Sequence, residues 1–300
     1  MSHALATFEE RISLGLAPLT IEFYTQNVKA ALRIMESAGC EVLPHKIAER
    51  DVHMFIAEMK KRDYSANTIH DYVSAVRKYT EAWGNYTIAG MKIRLPQDLR
   101  PNVDWLTKAQ ARELLKYVHT KGTPIQLFTV HMELCLGLRR VEVLRMRVED
   151  IDFENRCITV RGKADRVRAV PFAFDTDRVL SVMLGYRETQ VHGMVTRYPS
   201  RTDQVPHEVV LWGRKNILHP YTLDGYGLDK IVCEQLQKPL GFKPKNHTLR
   251  RTFGRTLWLS DVPVETIAKI LGHRSTEQTL RYIGVSMDDM RAVMGRNIYE

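Results

Sequence analysis

The chain has 300 residues with a 44% apolar fraction, enough to bury cores and to make two domains. Its 44 Lys and Arg against 35 Asp and Glu leave a net charge of +9, an excess that favours a polyanionic partner because neutralising phosphates releases counterions. No apolar run reaches the ~18 residues of a membrane span, the first ten residues lack a signal peptide's apolar segment, and Cys40, Cys135, Cys157 and Cys233 form no CxxC or zinc-finger spacing, which excludes a membrane or disulfide-framework protein and leaves reduced cytoplasmic thiols.

Residues 1–88 read as a helical domain. Tyr24, Val28, Ala31 and Met35 recur at helical spacing after Leu19-Thr20, and Gly39 closes that helix. A second helix carries Val52, Phe55, Ile56 and Met59 and runs into the basic stretch Lys60-Lys61-Arg62. A third spans about Ala66 to Trp83, with Ile69, Tyr72, Val73, Val76, Thr80 and Trp83 on its apolar side and Ser65 or Asn67 as cap. Its other side offers His70, Arg77 and Lys78, a surface suited to phosphates. Residues 89–104 break the pattern with Pro96 and Pro101 among Lys92, Arg94 and Arg100, as expected of a basic linker.

A second domain covers 105–300. Thr107 is placed to cap a helix containing Ala111, Leu114, Leu115 and Val118. A helix from Ile125 to Leu136 stops at Gly137, and a short one follows with Val141, Leu144 and Val148 on one face. The period then changes to two. Cys157 to Val160 and Val167 to Val170 read as antiparallel strands joined by the turn Arg161 to Arg166. After Pro171 the chain is mostly helical, interrupted by a strand at Val209-Val210-Leu211, and Met287, Met290, Val293 and Met294 mark a tail helix over 287–300. The expected fold class is mainly α with a small antiparallel β-sheet.

Four stretches place polar groups in apolar surroundings. They are Gly137-Leu138-Arg139-Arg140-Val141-Glu142; Gly162-Lys163 at a hairpin tip; His247-Thr248-Leu249-Arg250; and Leu271-Gly272-His273, followed nine positions later by Tyr282. Taken singly, each has an ordinary reading: a surface charge after a glycine, a solvated hairpin lysine, a core histidine, an amphipathic tyrosine. His247 and Arg250, three apart, share a helix face. Glu142, three after Arg139, suits an orienting partner for an arginine better than a catalytic acid.

In this order and spacing the stretches resemble the signature of the tyrosine recombinase (phage integrase) family. The likeness covers the whole second domain and extends more loosely to Thr20–Tyr24 and Thr68–Tyr79. Leu136, Ala164, Arg251 and Ile283-Gly284 depart from the commonest family residues at their positions without removing a catalytic group. The resemblance implies a two-domain architecture, a helical core-binding domain followed by an α+β catalytic domain. It implies strand cleavage and rejoining through a 3′-phosphotyrosyl intermediate, with Tyr282 as nucleophile, Arg139 and Arg250 on the phosphate oxygens and His247 as proton acceptor. His273 would be a second phosphate partner and Lys163 the general acid. Neither metal nor cofactor is implied. The partners implied are double-stranded DNA with specific recombination sites, three further copies of the chain in a homo-tetramer on paired sites, and accessory DNA-bending proteins; the place of action is cytoplasmic, at the nucleoid. Integration and excision of a mobile element and resolution of DNA multimers, through a Holliday junction, both fit. The rival readings are a type IB topoisomerase-like relaxing enzyme and a non-catalytic DNA-binding protein of the same fold.

Overall fold

A computed structural model describes residues 2–16, 18–93, 104–162, 167–197, 208–214, 220–222 and 225–284. The chain divides into two compact units, Met1–Arg100 and Pro101–Glu300.

The first unit is helical: α1 (Ser2–Ser13), α2 (Pro18–Ser37), α3 (Glu49–Lys61) and α4 (Ala66–Glu81). The expected stripes point inward, with Val28, Ala31, Met35, Val52, Phe55, Met59, Ile69 and Val76 all buried. Ser65 caps α4 by accepting the Thr68 N–H at 3.1 Å. Helix α1 was not anticipated. It adds Phe8 and Ile12 to the core, and Phe8 packs edge-on to Tyr79 and stacks on Trp83. Arg77 departs from the expected phosphate-facing surface, because it donates to the carbonyls of Ile88 and Met91 at 3.1 and 2.8 Å and so ties the end of the unit to α4. Lys78 pairs with Glu81.

The second unit begins with α5 (Lys108–Thr120), capped by Thr107, and α6 (Pro124–Leu134), capped by Thr123. Next come α7 (Arg140–Leu144), a 3-10 turn (Val148–Asp150) and an antiparallel sheet in the order β1 (Ile151–Asp152), β2 (Cys157–Arg161), β3 (Val167–Pro171). The expected hairpin thus has a third strand, added where Ile151 pairs with Ile158. Val141 is exposed, because a five-residue helix turns too little to bury a whole stripe. Helix α8 (Phe174–Arg197) leads to Val209, which makes only an isolated bridge with Arg147. The strand expected over Val209-Val210-Leu211 begins three residues later, as β4 (Trp212–Arg214) paired with β5 (Pro220–Thr222). The chain closes on α9 (Gly225–Asp229), a π-helical turn (Lys230–Glu234), α10 (Gln237–Leu240), α11 (Asn246–Leu259), α12 (Val264–Leu271) and α13 (Thr276–Ile283). The fold is mostly helical with a small antiparallel sheet. The four cysteines are free thiols, and burial pushes Cys135 and Cys233 up to about 11.

The expected linker is described only at 89–93 and Asp104. Lys163 with the hairpin tip 163–166, and the tail helix expected over 287–300, lie outside the described residues. Among the described residues no helix is long and apolar enough to cross a membrane.

Candidate active site

Arg139 and Arg250 are held by two glycine corners. After α6 the chain turns at Gly137 with φ of 64°, where a Cβ would come 2.3 Å from the Phe253 ring, so no other residue fits. Arg139 is the extended residue immediately before α7. Its N–H donates to Glu142 Oε2 and its Nη1 to Glu142 Oε1, both at 2.8 Å. The second corner is Gly272, left-handed at φ of 62°, which ends α12 and lets the His273 N–H return to the Ala268 carbonyl at 2.9 Å. Each corner then accepts from the arginine delivered by another segment. Arg139 Nη2 donates to the Gly272 carbonyl at 3.2 Å, and Arg250 Nη1, from α11, donates to the Gly137 carbonyl. Arg250 Nη2 also reaches the Leu271 carbonyl at 2.5 Å.

Arg250 is 2% exposed, and burial with the nearby Arg139 lowers it to about 10, which leaves it charged at neutral pH. Among the described residues Arg139 uses two of its five N–H donors and Arg250 three, counting its 3.4 Å contact with His273, so both keep donors free.

Glu142 lies behind both arginines. Burial raises its carboxyl, but the forked bond from Arg168 at 2.8 and 2.9 Å, with the Arg139 N–H and Arg250, outweighs that and holds it at about 2. Arg168 projects from β3 and also donates Nε to the Ile270 carbonyl at 3.0 Å, so the sheet grips the end of α12 through one guanidinium. Nothing in the sequence reading singled out Arg168, which is 26 positions from Glu142.

His273 Nε2 faces Arg250 Nη2 at 3.4 Å and Nδ1 faces Thr279 Oγ1 at 3.0 Å. Burial and the charges of Arg250, Arg139 and Arg168 lower His273 to about 4, so the ring is neutral at pH 7. An arginine can only donate, so Nε2 is the acceptor and Nδ1 carries the hydrogen toward Thr279, whose hydroxyl donates to the Ser275 carbonyl at 3.2 Å. Thr279 was likewise missed by the sequence reading, although it shares α13 with Tyr282.

The Tyr282 ring meets His273 edge-on, centroids 5.0 Å apart, with the guanidinium carbons of Arg250 and Arg251 at 5.8 and 5.4 Å. Its hydroxyl is buried and, among the described residues, has no partner of hydrogen-bond geometry. Burial raises its pKa, against the pull of Arg250 and Arg251 toward the anion. The structure therefore brings Arg139, Arg250, His273 and Tyr282 together. His247 stands one turn before Arg250 with its ring reaching the surface. Desolvation on its inner side, with Arg251, Arg140 and Arg250, lowers its pKa. Among the described residues no group of three or more His, Cys, Asp or Glu is arranged to hold a metal ion.

The Phage integrase family model matches residues 104–288, and the family's N-terminal SAM-like domain matches residues 7–83. Tyrosine recombinase XerA of Thermococcus onnurineus is 25% identical, over 97% of this chain and 94% of that protein. Tyrosine recombinase XerC of Oceanobacillus iheyensis is 24% identical, over 95% and 92%. In fold, the chain is similar to the Tn1549 transposon integrase in complex with transposon right end DNA, with a TM-score of 0.65 and 19% identity over 98% of this chain and 99% of that one. It is also similar to XerH recombinase in a post-cleavage complex with palindromic difH, with a TM-score of 0.66 and 19% identity over 94% and 80%.

Proposed function

This chain belongs to the phage integrase family, and from that premise we propose that it is a site-specific DNA recombinase that cuts and rejoins strands with Tyr282. The observation that carries the assignment is the convergence of Arg139, Arg250, His273 and Tyr282 from four segments on one charged corner.

A phosphodiester is anionic and resists attack, so fixed positive charge must meet the charge that develops at phosphorus. Arg139 and Arg250 supply it through the donors they keep free, and the Glu142–Arg168 pair holds both in place. The Tyr282 oxygen attacks phosphorus and its proton passes to His247. The bond from phosphorus to the 5′ oxygen breaks, and Lys163 protonates that oxygen. The resulting 3′-phosphotyrosyl link conserves the bond energy, so rejoining needs no nucleotide. His273, neutral and turned to Arg250 in the DNA-free chain, turns to the phosphate when that arginine is engaged. Four copies on paired sites, exchanging strands through a Holliday junction with accessory bending proteins at the nucleoid, complete the reading.

The test is adduct trapping on a nicked suicide duplex. Wild type forms a covalent protein–DNA band, and Tyr282→Phe binds the same duplex but forms none. An adduct that persists in Tyr282→Phe means another residue attacks.

A further inference from the structure

We propose that Asp229 is a positioning residue for strand cleavage, a carboxylate clip that joins the helix start bearing Arg139 to the helix start bearing His247. The inference rests on the recombinase reading above. Helix α7 opens with Arg140, the residue after Arg139; α11 opens with Asn246, the residue before His247. Asp229, at the end of α9, accepts from both. Its Oδ2 takes Arg140 Nη1, and its Oδ1 takes Asn246 Nδ2 at 2.5 Å. One carboxylate thus reaches 89 positions back and 17 forward, to the immediate neighbours of two proposed active-site residues.

The surroundings fix this clip. Asn246 is buried, and its Oδ1 accepts the Cys233 Sγ–H at 3.8 Å, so the amide is held at both ends. Asp229 precedes the π-helical turn Lys230–Glu234 and Cys233 lies within it, a geometry concentrated at functional sites, and both address the same amide. A Cβ on Gly225 would come 3.1 Å from the Arg140 guanidinium carbon, so Arg140 lies close against the first residue of α9.

Stability alone does not account for the arrangement. Arg140 and Asp229 are 43% and 38% exposed, and exposed ion pairs contribute little. Geometry does account for it, because small misplacements of reacting groups are costly in rate. Asp229 also acts on His247 through space. Arg250 and Arg251 on α11 and Arg140 on α7 oppose protonation of that ring, and Asp229 is the acidic group that favours it.

Single-turnover cleavage of the nicked suicide duplex, measured across pH, tests the clip in wild type, Asp229→Ala, Asp229→Asn, Arg140→Ala and the double alanine variant. Asp229→Asn preserves shape, which keeps the test valid should the alanine variant fold poorly. We expect cleavage to fall about 10- to 100-fold in the single alanine variants, with melting temperature and affinity for the site near wild type. The double variant should be no slower than Asp229→Ala, because the two residues act as one unit. The acid limb of the pH–rate profile should move to lower pH in Asp229→Asn, since the removed charge is the one that raises His247; a merely structural role leaves that limb in place. Wild-type rates in the Asp229 variants, multiplying rather than shared losses, an unmoved acid limb, or a loss that only tracks melting temperature would each overturn the clip while leaving the recombinase reading intact. A wild-type protein that forms no adduct would overturn both.

Discussion

The two units bury different things. In the first, the described interior is Phe8, Leu32, Met35, Phe55, Tyr79 and their apolar neighbours, with Thr25, Asp51 and Thr80 as its buried polar residues. In the second, an apolar core of comparable kind surrounds Glu133, Glu142, Arg250, His131 and Asn246. Taking a charge out of water costs several kcal/mol even after relaxation, and an apolar group of the same volume is often no worse for stability. A unit that buries arginines and glutamates is therefore organised around something other than stability. The described first unit carries no such cluster. In the second, buried Glu142 and Arg250 lie behind Arg139, His273 and Tyr282, where fixed positive charge is what the proposed chemistry needs.

The largest expected effect breaks that contrast at its centre. Glu142→Ala leaves Arg250 buried and Arg168 nearly so, both without their carboxylate. Removing one member of a buried pair costs about 3–5 kcal/mol. Amide hydrogen exchange in urea, resolved by segment, should show α11, α12 and β3 opening at lower urea while α2 and α4 keep wild-type protection. Equal loss in both units would mean that the charge cluster is not a local device of the second. The same carboxyl gives a pH signature. Its folded value of about 2 lies below the usual carboxylate range, so its contribution is present above that range and is lost as pH falls toward 2.

How far this site could be read from the sequence follows from how its members are spaced. Arg139 with Glu142 and His247 with Arg250 lie three apart on single helices, and Gly137 and Gly272 mark the corners, so local rules reach them. Arg168, Thr279 and Asp229 carry no local mark. Arg168 is one of several basic residues on an ordinary strand, and it matters only because folding brings it to a carboxylate 26 positions away and a carbonyl 102 away. Asp229 meets partners 89 and 17 positions distant. In the fold, the apolar stripes of α2 to α6 were legible because each helix is long enough to repeat its period. Helix α1 was not, since Phe8 and Ile12 give only a single repeat. The Val209 strand slipped because Val210 and Leu211 are buried core residues, and a short apolar run does not distinguish a buried loop from a strand.

A smaller effect, of opposite sign, concerns Glu133. It is fully buried on α6, and neither carboxyl oxygen has a partner among the described residues. Burial pushes its pKa well up, against the pull of Arg140 and Arg250 and with that of Asp229. A group whose folded pKa is raised adds stability below its unfolded pKa and loses it as pH rises toward the folded one. At neutral pH Glu133 is therefore a cost, comparable to an unsatisfied buried polar group, about 1–3 kcal/mol. Glu133→Met, close in volume, should raise the melting temperature at pH 7 and narrow the difference between variant and wild type as pH falls toward 4. A lower melting temperature at pH 7 would show that the carboxyl has a stabilising partner and that the second unit tolerates its buried acids by pairing every one.

The smallest effect tests the other side of the comparison. Asp51 is the buried charged residue of the described first unit, and its role is local. Its Oδ2 accepts the Ala48 N–H at 3.0 Å, closing the first turn of α3 in place of the cap that an alanine side chain cannot supply. Its Oδ1 accepts the Glu41 N–H at 3.1 Å and pins the preceding loop. A carboxylate facing backbone N–H groups at a helix start needs no guanidinium beside it, since the orphan donors and the helix dipole supply the complement. Loss of such a cap costs typically about 1 kcal/mol. Asp51→Ala should therefore lower the stability of the first unit by about that amount. Hydrogen exchange should quicken at Glu41, Ala48 and the first turn of α3, with protection in α11 and the rate of strand cleavage unchanged. The measurement separates two reasons for burying a charge. If Asp51→Ala instead costs as much as Glu142→Ala, or slows cleavage, then its carboxylate is not a local cap, and the division between a unit that caps its helices and a unit that stores charge for chemistry does not hold.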